Sequence, residues 1–486
     1  LVEVAIDGGD AALAALIAHL PPRSERSALP TRVRTLLDGL IEAPPEIASH
    51  VASTSRVRLV MARIDGETRS AVAVELDEPS TASRGDGPRH SARVGDRAAV
   101  DGSIAVVSDD PAMLDQSFAY LAYTALDERH DDGIEVRLPA STLASAVRAA
   151  LEQTVREARG NALASIAAAR AAHDRPPDLG DPDALVGSLA DATMARIAYL
   201  PDLGDATITL HTSPSGLAVT ATAAITPASP LARAIAGAAI VPHELASALP
   251  ASSALVLASG LASPTPADVV EQLAALGGSR LDASERTGLD DAARTIASVG
   301  GTVHAIAIGA SEAGPSLAVV TLGATDAALP APWGRAYPWT TALLGAAIGC
   351  TPTSSRTIEG DRTICDDVVL ATRGDATART DVIGRDAPTV ADATQSSFVL
   401  HAAASSPDLA RDLDALDAST WAIAIARPLR ALPLVAREAS SSLPRGDGAI
   451  VLAASQAEGA LRIDLRASTA ALADLATVVD LFTNGD

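Results

Sequence analysis

The sequence predicts an α+β fold: a tandem duplication of two homologous domains, each a mainly antiparallel sheet with helices packed on one face. Three observations carry this expectation. Short runs of alternating apolar and polar residues are joined by tight-turn residues, which favours antiparallel pairing over parallel crossovers. Helical periodicity fills the intervals between them. The order of segments in the first 250 residues then recurs, with drifting spacing, in residues 251–486.

The chain opens with an apolar strand, Leu1-Val-Glu-Val-Ala-Ile6, and a helix-like stretch from Asp10 to Leu20; Leu255-Val-Leu-Ala-Ser259 and Pro266–Leu276 repeat that order. Arg56–Ile64 and Ser70–Leu76 alternate at period two around Ile64-Asp65-Gly66-Glu67, a hairpin signature, and their counterparts are Thr302–Ile308 and Ser316–Leu322. Arg97–Asp110 matches Arg362–Asp375, and Ile134–Pro139 matches Phe398–Ala403. The closing pair Thr207–Leu210 and Gly216–Thr222 matches Ala449–Leu452 and Gly459–Leu465. The expected boundary falls near Ala248–Ser252, which gives domains 1–250 and 251–486.

The two halves differ in two places, where acquired function is most reasonably sought. The first carries a long helical insertion near 141–173, with Leu143, Val147, Leu151, Val155, Leu163 and Ile166 at near-helical spacing. Ser141 or Thr142 can cap its start, and at about 1.5 Å per residue it reaches roughly 45 Å. It is a brace or a partner-binding ridge. The second half carries Pro330-Ala-Pro-Trp-Gly-Arg-Ala-Tyr-Pro-Trp339. Trp333, Tyr337 and Trp339 offer stacking faces and Arg335 can lie over one of them, so these four are the candidate ligand- or partner-binding residues. The competing reading folds them inward to fill an Ala-rich core short of bulk. Phe118, Tyr120 and Tyr123, in the helix expected from Pro111 to Leu126, are read as core.

Composition removes whole classes of function. All 37 basic residues are Arg, the net charge is −23 and no basic run occurs, so a phosphate backbone is repelled and nucleic-acid binding is not expected. Apolar runs are well short of the roughly 20 residues of a spanning helix, so no transmembrane span is expected. The numbering begins at Leu1 without Met, and the reading expects a signal or lipid anchor upstream of it.

The chain shows no Gly-rich phosphate loop. Gly309-Ala-Ser-Glu-Ala313 lacks the last glycine of a nucleophile elbow, and His243-Glu244 lacks the second imidazole of a zinc helix because Ser247 stands there. Asp127–Asp132 gathers carboxylates and His130 at an expected helix end, where a solvated cap is the simpler account. No catalytic residue, metal ligand or cofactor is assigned, and an enzyme is not the favoured class. Cys350 and Cys365 are the only cysteines; in an oxidising compartment they form a disulfide candidate worth about 3 kcal/mol, against two free thiols or a redox pair. Arg-Gly-Asp occurs at Arg84, Arg373 and Arg445, each at an expected loop where turn chemistry explains it.

Leu249-Pro-Ala-Ser-Ser-Ala-Leu-Val-Leu257, Arg427-Pro-Leu-Arg-Ala-Leu-Pro433 and Gly446-Asp-Gly-Ala-Ile-Val-Leu452 give the chain a loose resemblance to uncharacterised Ala-rich envelope proteins of GC-rich bacteria, often exported or lipid-anchored. The resemblance implies a periplasmic or cell-envelope location and no known activity. The expected function is therefore a non-catalytic exported binding or scaffold protein whose partner is an envelope protein or a small apolar ligand. A carrier of apolar or lipidic ligands and an unrecognised hydrolase are the alternatives.

Overall fold

The computed structural model describes residues 2–7, 10–11, 14–15, 44–64, 66–77, 92–126, 133–172, 182–242, 245, 249, 253–261, 283, 287, 303–311, 314–322, 353–357, 360–365, 368–374, 378–385, 407–435 and 448–483. They form a mixed α+β protein, and every strand pairing whose register is defined is antiparallel. The chain divides into two compact units: Leu1–Leu143 with Leu203–Ala224 and Arg462–Asp486, and Ala144–Asp202 with Ile225–Leu461. Each draws on both halves of the sequence.

In the first unit the strands are β1 (Val2–Asp7), β2 (Val57–Ile64), β3 (Glu67–Glu75), β4 (Ala92–Arg93), β5 (Ala98–Asp101), β6 (Ile104–Ser108), β7 (Gly133–Leu138), β8 (Leu203–Ser213) and β9 (Gly216–Ile225). They pair in the order β4-β5-β6-β3-β2-β1-β7-β8. Strand β9 follows, and its partner is β19 (Ala460–Ser468). The expected turn at Ile64–Glu67 joins β2 to β3, with Gly66 at φ 87° supplying the left-handed residue such a turn needs.

Alternation along these strands sorts side chains onto two faces. One face buries Ile6, Val57, Val72, Val74, Val100 and Val107 against Ile47 and Ala48 of the one-turn helix α1 (Pro45–Ala48). The other buries Val60, Ala71, Ala73 and Val106 against Met113, Leu114, Leu121 and Ala125. Those residues lie on α2 (Pro111–Tyr120) and the π-helical turn Leu121–Ala125 that continues it. Both faces are therefore cores, where helices were expected on one. The reason is in the sequence of β3: Ala71-Val-Ala-Val74 is apolar at every position, a two-face pattern.

The second unit contains β10 (Ser253–Ser259), β11 (Val303–Ser311), β12 (Gly314–Leu322), β13 (Thr353–Thr357), β14 (Gly360–Cys365), β15 (Val368–Gly374), β16 (Ala378–Arg385), β17 (Thr420–Ala426) and β18 (Ile450–Ala457). Their order is β13-β14-β15-β16-β12-β11-β10-β17-β18. The inner face buries Val256, Ala305, Ala307, Ile423, Ile425 and Val451 with Val241, Leu245, Leu249 and Leu413. Helices here are α3 (Arg148–Ala172), α4 (Pro182–Ile197), α5 (Pro230–Ala236), α6 (Pro407–Asp414) and α7 (Pro428–Val435). The first unit also holds α8 (Thr469–Thr483).

The stretch 141–173 runs as a short helix Ala140–Thr142, a π-helical turn Leu143–Val147 and then α3. Neither Ser141 nor Thr142 caps it. The Ala140 amide donates instead to Asp205 Oδ1 of β8 at 2.8 Å, a cap supplied across 65 residues of chain. Among the side chains described on α3 none is buried, and Leu151 is 41% exposed.

Candidate functional site

The candidate binding residues Trp333, Arg335, Tyr337 and Trp339 lie outside the described residues, as do Cys350, the Asp127–Asp132 cluster and the segment Phe398–Ala403. Cys365 ends β14 and pairs in register with Val368, the first residue of β15. Arg373 and Gly374 are not loop residues: both sit in the β15–β16 ladder, opposite Thr380 and Arg379. Tyr120 and Tyr123 are not core either, being 36% and 41% exposed, whereas Leu121 is buried and Phe118 packs on the same cluster. The helix turns its phenols outward so that their hydroxyls meet carboxylates: Tyr120 donates to Glu3 Oε2 at 2.8 Å and Tyr123 to Asp101 Oδ2.

The densest polar arrangement among the described residues gathers where β1, β2 and β3 meet the end of α2. Arg58 of β2 is fully buried, and its guanidinium donates to both oxygens of Asp7 at 2.8 and 3.3 Å and, through Nε, to the carbonyl of Ala125 at 2.9 Å. Beside it, Arg56 donates through Nε to Glu75 Oε1 at 2.9 Å and through its other nitrogens to Glu75 and to the carbonyl of Leu126. The Arg56 amide reaches Glu75 Oε2 at 3.1 Å, and the Glu75 amide donates to Ser55 Oγ at 2.8 Å. A helix end leaves carbonyls without intrahelical donors and carries partial negative charge. Arg58 of β2 and Arg56, just before that strand, supply both the donors and the charge.

A second polar lane runs along β9 and β19. Thr220 donates to Asp464 Oδ1 at 2.7 Å, and Arg462 donates to both Asp464 oxygens at 2.7 and 2.9 Å. On β8, Thr209 donates to the carbonyl of Thr220 at 3.4 Å, and Thr207 and Thr209 lie opposite Arg137 and Glu135 of β7, which pair at 2.7 Å. These side chains are half-buried, so the lane is a wet, hydroxyl-rich surface rather than a sealed core.

The charge states are fixed by these neighbours. Burial pushes the Glu75 carboxyl up, but the hydrogen bonds and charge of Arg56, aided by Arg58, more than offset it and hold it below the usual carboxylate range. Asp464 behaves alike: burial raises it, and Arg462, Thr220 and Arg466 together bring it lower. At the start of α2, Asp110 is held low by the amide of Met113, against a smaller opposing effect of desolvation, with help from the Ala112 amide and Arg69. A carboxylate held ionised well away from neutrality is a poor proton donor or acceptor near pH 7. What the arrangement does well is hold a fixed pattern of charge.

Among the described residues no three His, Cys, Asp or Glu side chains converge as metal ligands would, and no helix is long and apolar enough to cross a membrane. Sequence reasoning missed the Arg58–Asp7 pair. Its signal was present in the alternation of β2, where Arg58 occupies a position that pairs with buried Ala5 and Ala73.

No protein-family model matches the chain, and no curated protein matches it. Among solved structures, crystal form III of TP0453 aligns with 48% of this chain and 96% of its own, at 9% identity and a TM-score of 0.23. A likeness so slight carries no argument about fold or function.

Proposed function

We propose that the protein is a non-catalytic binding or scaffold protein of the cell envelope, exported and built from two homologous α+β domains in tandem. The observation that supports the non-catalytic part is that the two carboxylates at the centres of the polar networks described above, Glu75 and Asp464, are each tied to an arginine, which suits the display of charge and not the transfer of protons. Its partner is an envelope protein, bound through Trp333, Arg335, Tyr337 and Trp339.

The duplication is supported by the two strand orders. In each, the first strand lies between the second and a late one, and a hairpin precedes a helix that leads to that late strand: β1, β2, β3, β5–β6, α2 and β7 against β10, β11, β12, β15–β16, α6 and β17. On this reading β17, not Phe398–Ala403, stands in the place of β7. The hairpin at Arg362–Asp375 is then one strand further out than Arg97–Asp110, because the second order is lengthened by an extra strand.

Replacing both Trp333 and Trp339 by Ala, in full-length protein, tests the site. Folding is expected to be unchanged while capture of the partner from an envelope extract is lost; undiminished capture overturns the assignment. Labelling by a fluorophosphonate probe overturns the non-catalytic reading.

A further inference from the structure

Four neighbouring strands of the first unit carry two rows of polar side chains across one face of the sheet. The register of β7 on β8 sets Arg137 opposite Thr207 and Glu135 opposite Thr209. Strands β8 and β9 are joined by only two residues, Pro214 and Ser215, so equal counts from that turn set Thr207 opposite Thr222 and Thr209 opposite Thr220. The bond from the Thr209 hydroxyl to the Thr220 carbonyl agrees with that count. Three contacts hold β9 on β19 in a single register: the Ile225 amide to the Gly459 carbonyl, Thr220 to Asp464, and the Thr469 amide to the Ser215 carbonyl. Thr222 therefore lies opposite Arg462. Residues opposed in an antiparallel ladder share a face.

One row reads Arg137, Thr207, Thr222, Arg462 and the other Glu135, Thr209, Thr220, Asp464. At each end a guanidinium pairs along its own strand with a carboxylate, Arg137 with Glu135 and Arg462 with Asp464, both at 2.7 Å. Four threonines stand between the two ion pairs, which strands about 4.8 Å apart separate by roughly 14 Å. Under α2 the same face is sealed: Glu3 lies opposite Val60 and Val60 opposite Ala71, and Ala71 and Ala73 are 0% exposed. From β7 to β19 it opens, with all eight side chains half-buried and those of Arg137 and Arg462 38% and 43% exposed. Neither Thr207 nor Thr222 bonds its hydroxyl to a described residue, and neither oxygen is among the buried atoms without a partner, so both meet water. Glu3, opposite Arg137, accepts from Tyr120, whose ring borders the open part of the face.

We propose that this lane binds a neutral oligosaccharide. Its eight side chains offer donors and acceptors side by side with no Ala, Val, Leu or Ile among them, and sugar hydroxyls both donate and accept. The arginines hold Glu135 and Asp464 in place before a ligand arrives, which lowers the cost of ordering them on binding. The two ion pairs cancel, so the lane has no net charge with which to select an ionic ligand, and the chain's net charge of −23 repels acidic polymers. The centre of a protein partner's footprint is depleted in charged side chains, the opposite of this composition. Tyr120, 36% exposed with its hydroxyl fixed, gives the apolar face of a pyranose a ring to pack on.

The inference rests on the reading of the chain as a binding protein, and its failure leaves capture through Trp333 and Trp339 standing. The test is an array of neutral gluco-, manno-, galacto- and N-acetylglucosamine oligomers, with uronic acid oligomers beside them, probed with the full chain and followed by calorimetric titration of the best neutral binder. Saturable binding of a neutral oligomer is expected, with the uronates weaker. Thr207→Val combined with Thr222→Val keeps both branched shapes and removes two hydroxyls, so affinity falls roughly tenfold or more while the thermal midpoint holds. Thr207→Ser with Thr222→Ser restores binding, and Thr68→Val, on the other face of β3, leaves it unchanged. Arg137→Gln, at an exposed side chain, is an independent second variant and also weakens binding. No binding of any neutral oligomer overturns the ligand class. Uronates bound as tightly as neutral oligomers overturn the neutral ligand, and binding that survives both the valine pair and Arg137→Gln overturns the lane.

Discussion

Each unit fastens the helix that precedes its late inner strand with one buried arginine, and the two do it from different places. In the first unit, Arg58 comes from β2, pairs with Asp7 of β1 and holds the carbonyl of Ala125 at the end of the α2 helical run. In the second, Arg427 follows β17, is 1% exposed, and donates to Asp412 of α6 at 2.7 Å while its amide bonds to the carbonyl of Ala254. The comparison teaches that the need is set by the architecture and the residue that meets it is not. A helix laid over the sheet must have its polar end tied, and any strand close enough can supply the cation.

The comparison breaks most sharply at Arg58. Arg58→Ala leaves Asp7 buried without its principal cation and the Ala125 carbonyl without a donor, so a loss of about 3–5 kcal/mol in denaturant-measured stability is expected. Arg427→Ala is expected to cost less, because the Asp412 side chain is 12% exposed and can recruit water, against 6% for Asp7. Equal losses would mean that the two arginines do equivalent work.

A smaller effect probes the backbone of the second unit. A Cβ on Gly260 would meet the carbonyl oxygen of Ala239 at 1.7 Å, in a stretch where Ala239 donates to Gly260 and Gly260 donates to Trp421. Gly260→Ala is expected to cost about 2–3 kcal/mol, and a neutral result would show that the segment 238–242 can lift away from β10 at little cost.

The polar network of the first unit also predicts a pH signature. Glu75 and Asp464 have folded-state values below their unfolded ones, so the unfolded chain binds more protons at acid pH. Their stabilisation is complete above the ordinary carboxylate range and is lost as pH falls through the depressed folded values. Glu75→Gln should flatten the slope of stability against pH below pH 5 while changing it little across pH 6–8; an unaltered slope would place the acid sensitivity elsewhere. The mildest expected change is at Thr220→Val, which removes one hydrogen bond to a charged oxygen, about 1.5 kcal/mol, and should speed amide exchange in β9 and β19 before it does so in β2.

Much of the strand content was legible in sequence because it rests on period-two alternation and turn residues: β2–β3 and the β14–β15 hairpin within Arg362–Asp375 follow from local pattern. The two-face burial of β2, β3, β5 and β6 was harder to read, since Ala-rich runs such as Ala71-Val-Ala-Val74 blur the difference between inward and outward positions. The polar network was hidden for another reason. Arg56, Arg58, Glu75 and Asp7 look like ordinary surface charges until register pairs them and brings the two arginines to the carbonyls of Leu126 and Ala125, 70 and 67 residues away in sequence. The exposure of Tyr120 and Tyr123 was missed because a helical stripe ranks residues by hydrophobicity and takes no account of a carboxylate within reach of a phenol.

The pairing of β9 with β19 sets a schedule for synthesis. Strand β9 emerges from the ribosome more than 200 residues before its partner, and until residue 468 has followed it one edge of the first sheet stands open. An open edge recruits other strands. A holdase that covers β9 during translation would therefore raise the yield of native protein, and chains truncated before residue 460 should aggregate although they contain every residue of β1 to β8.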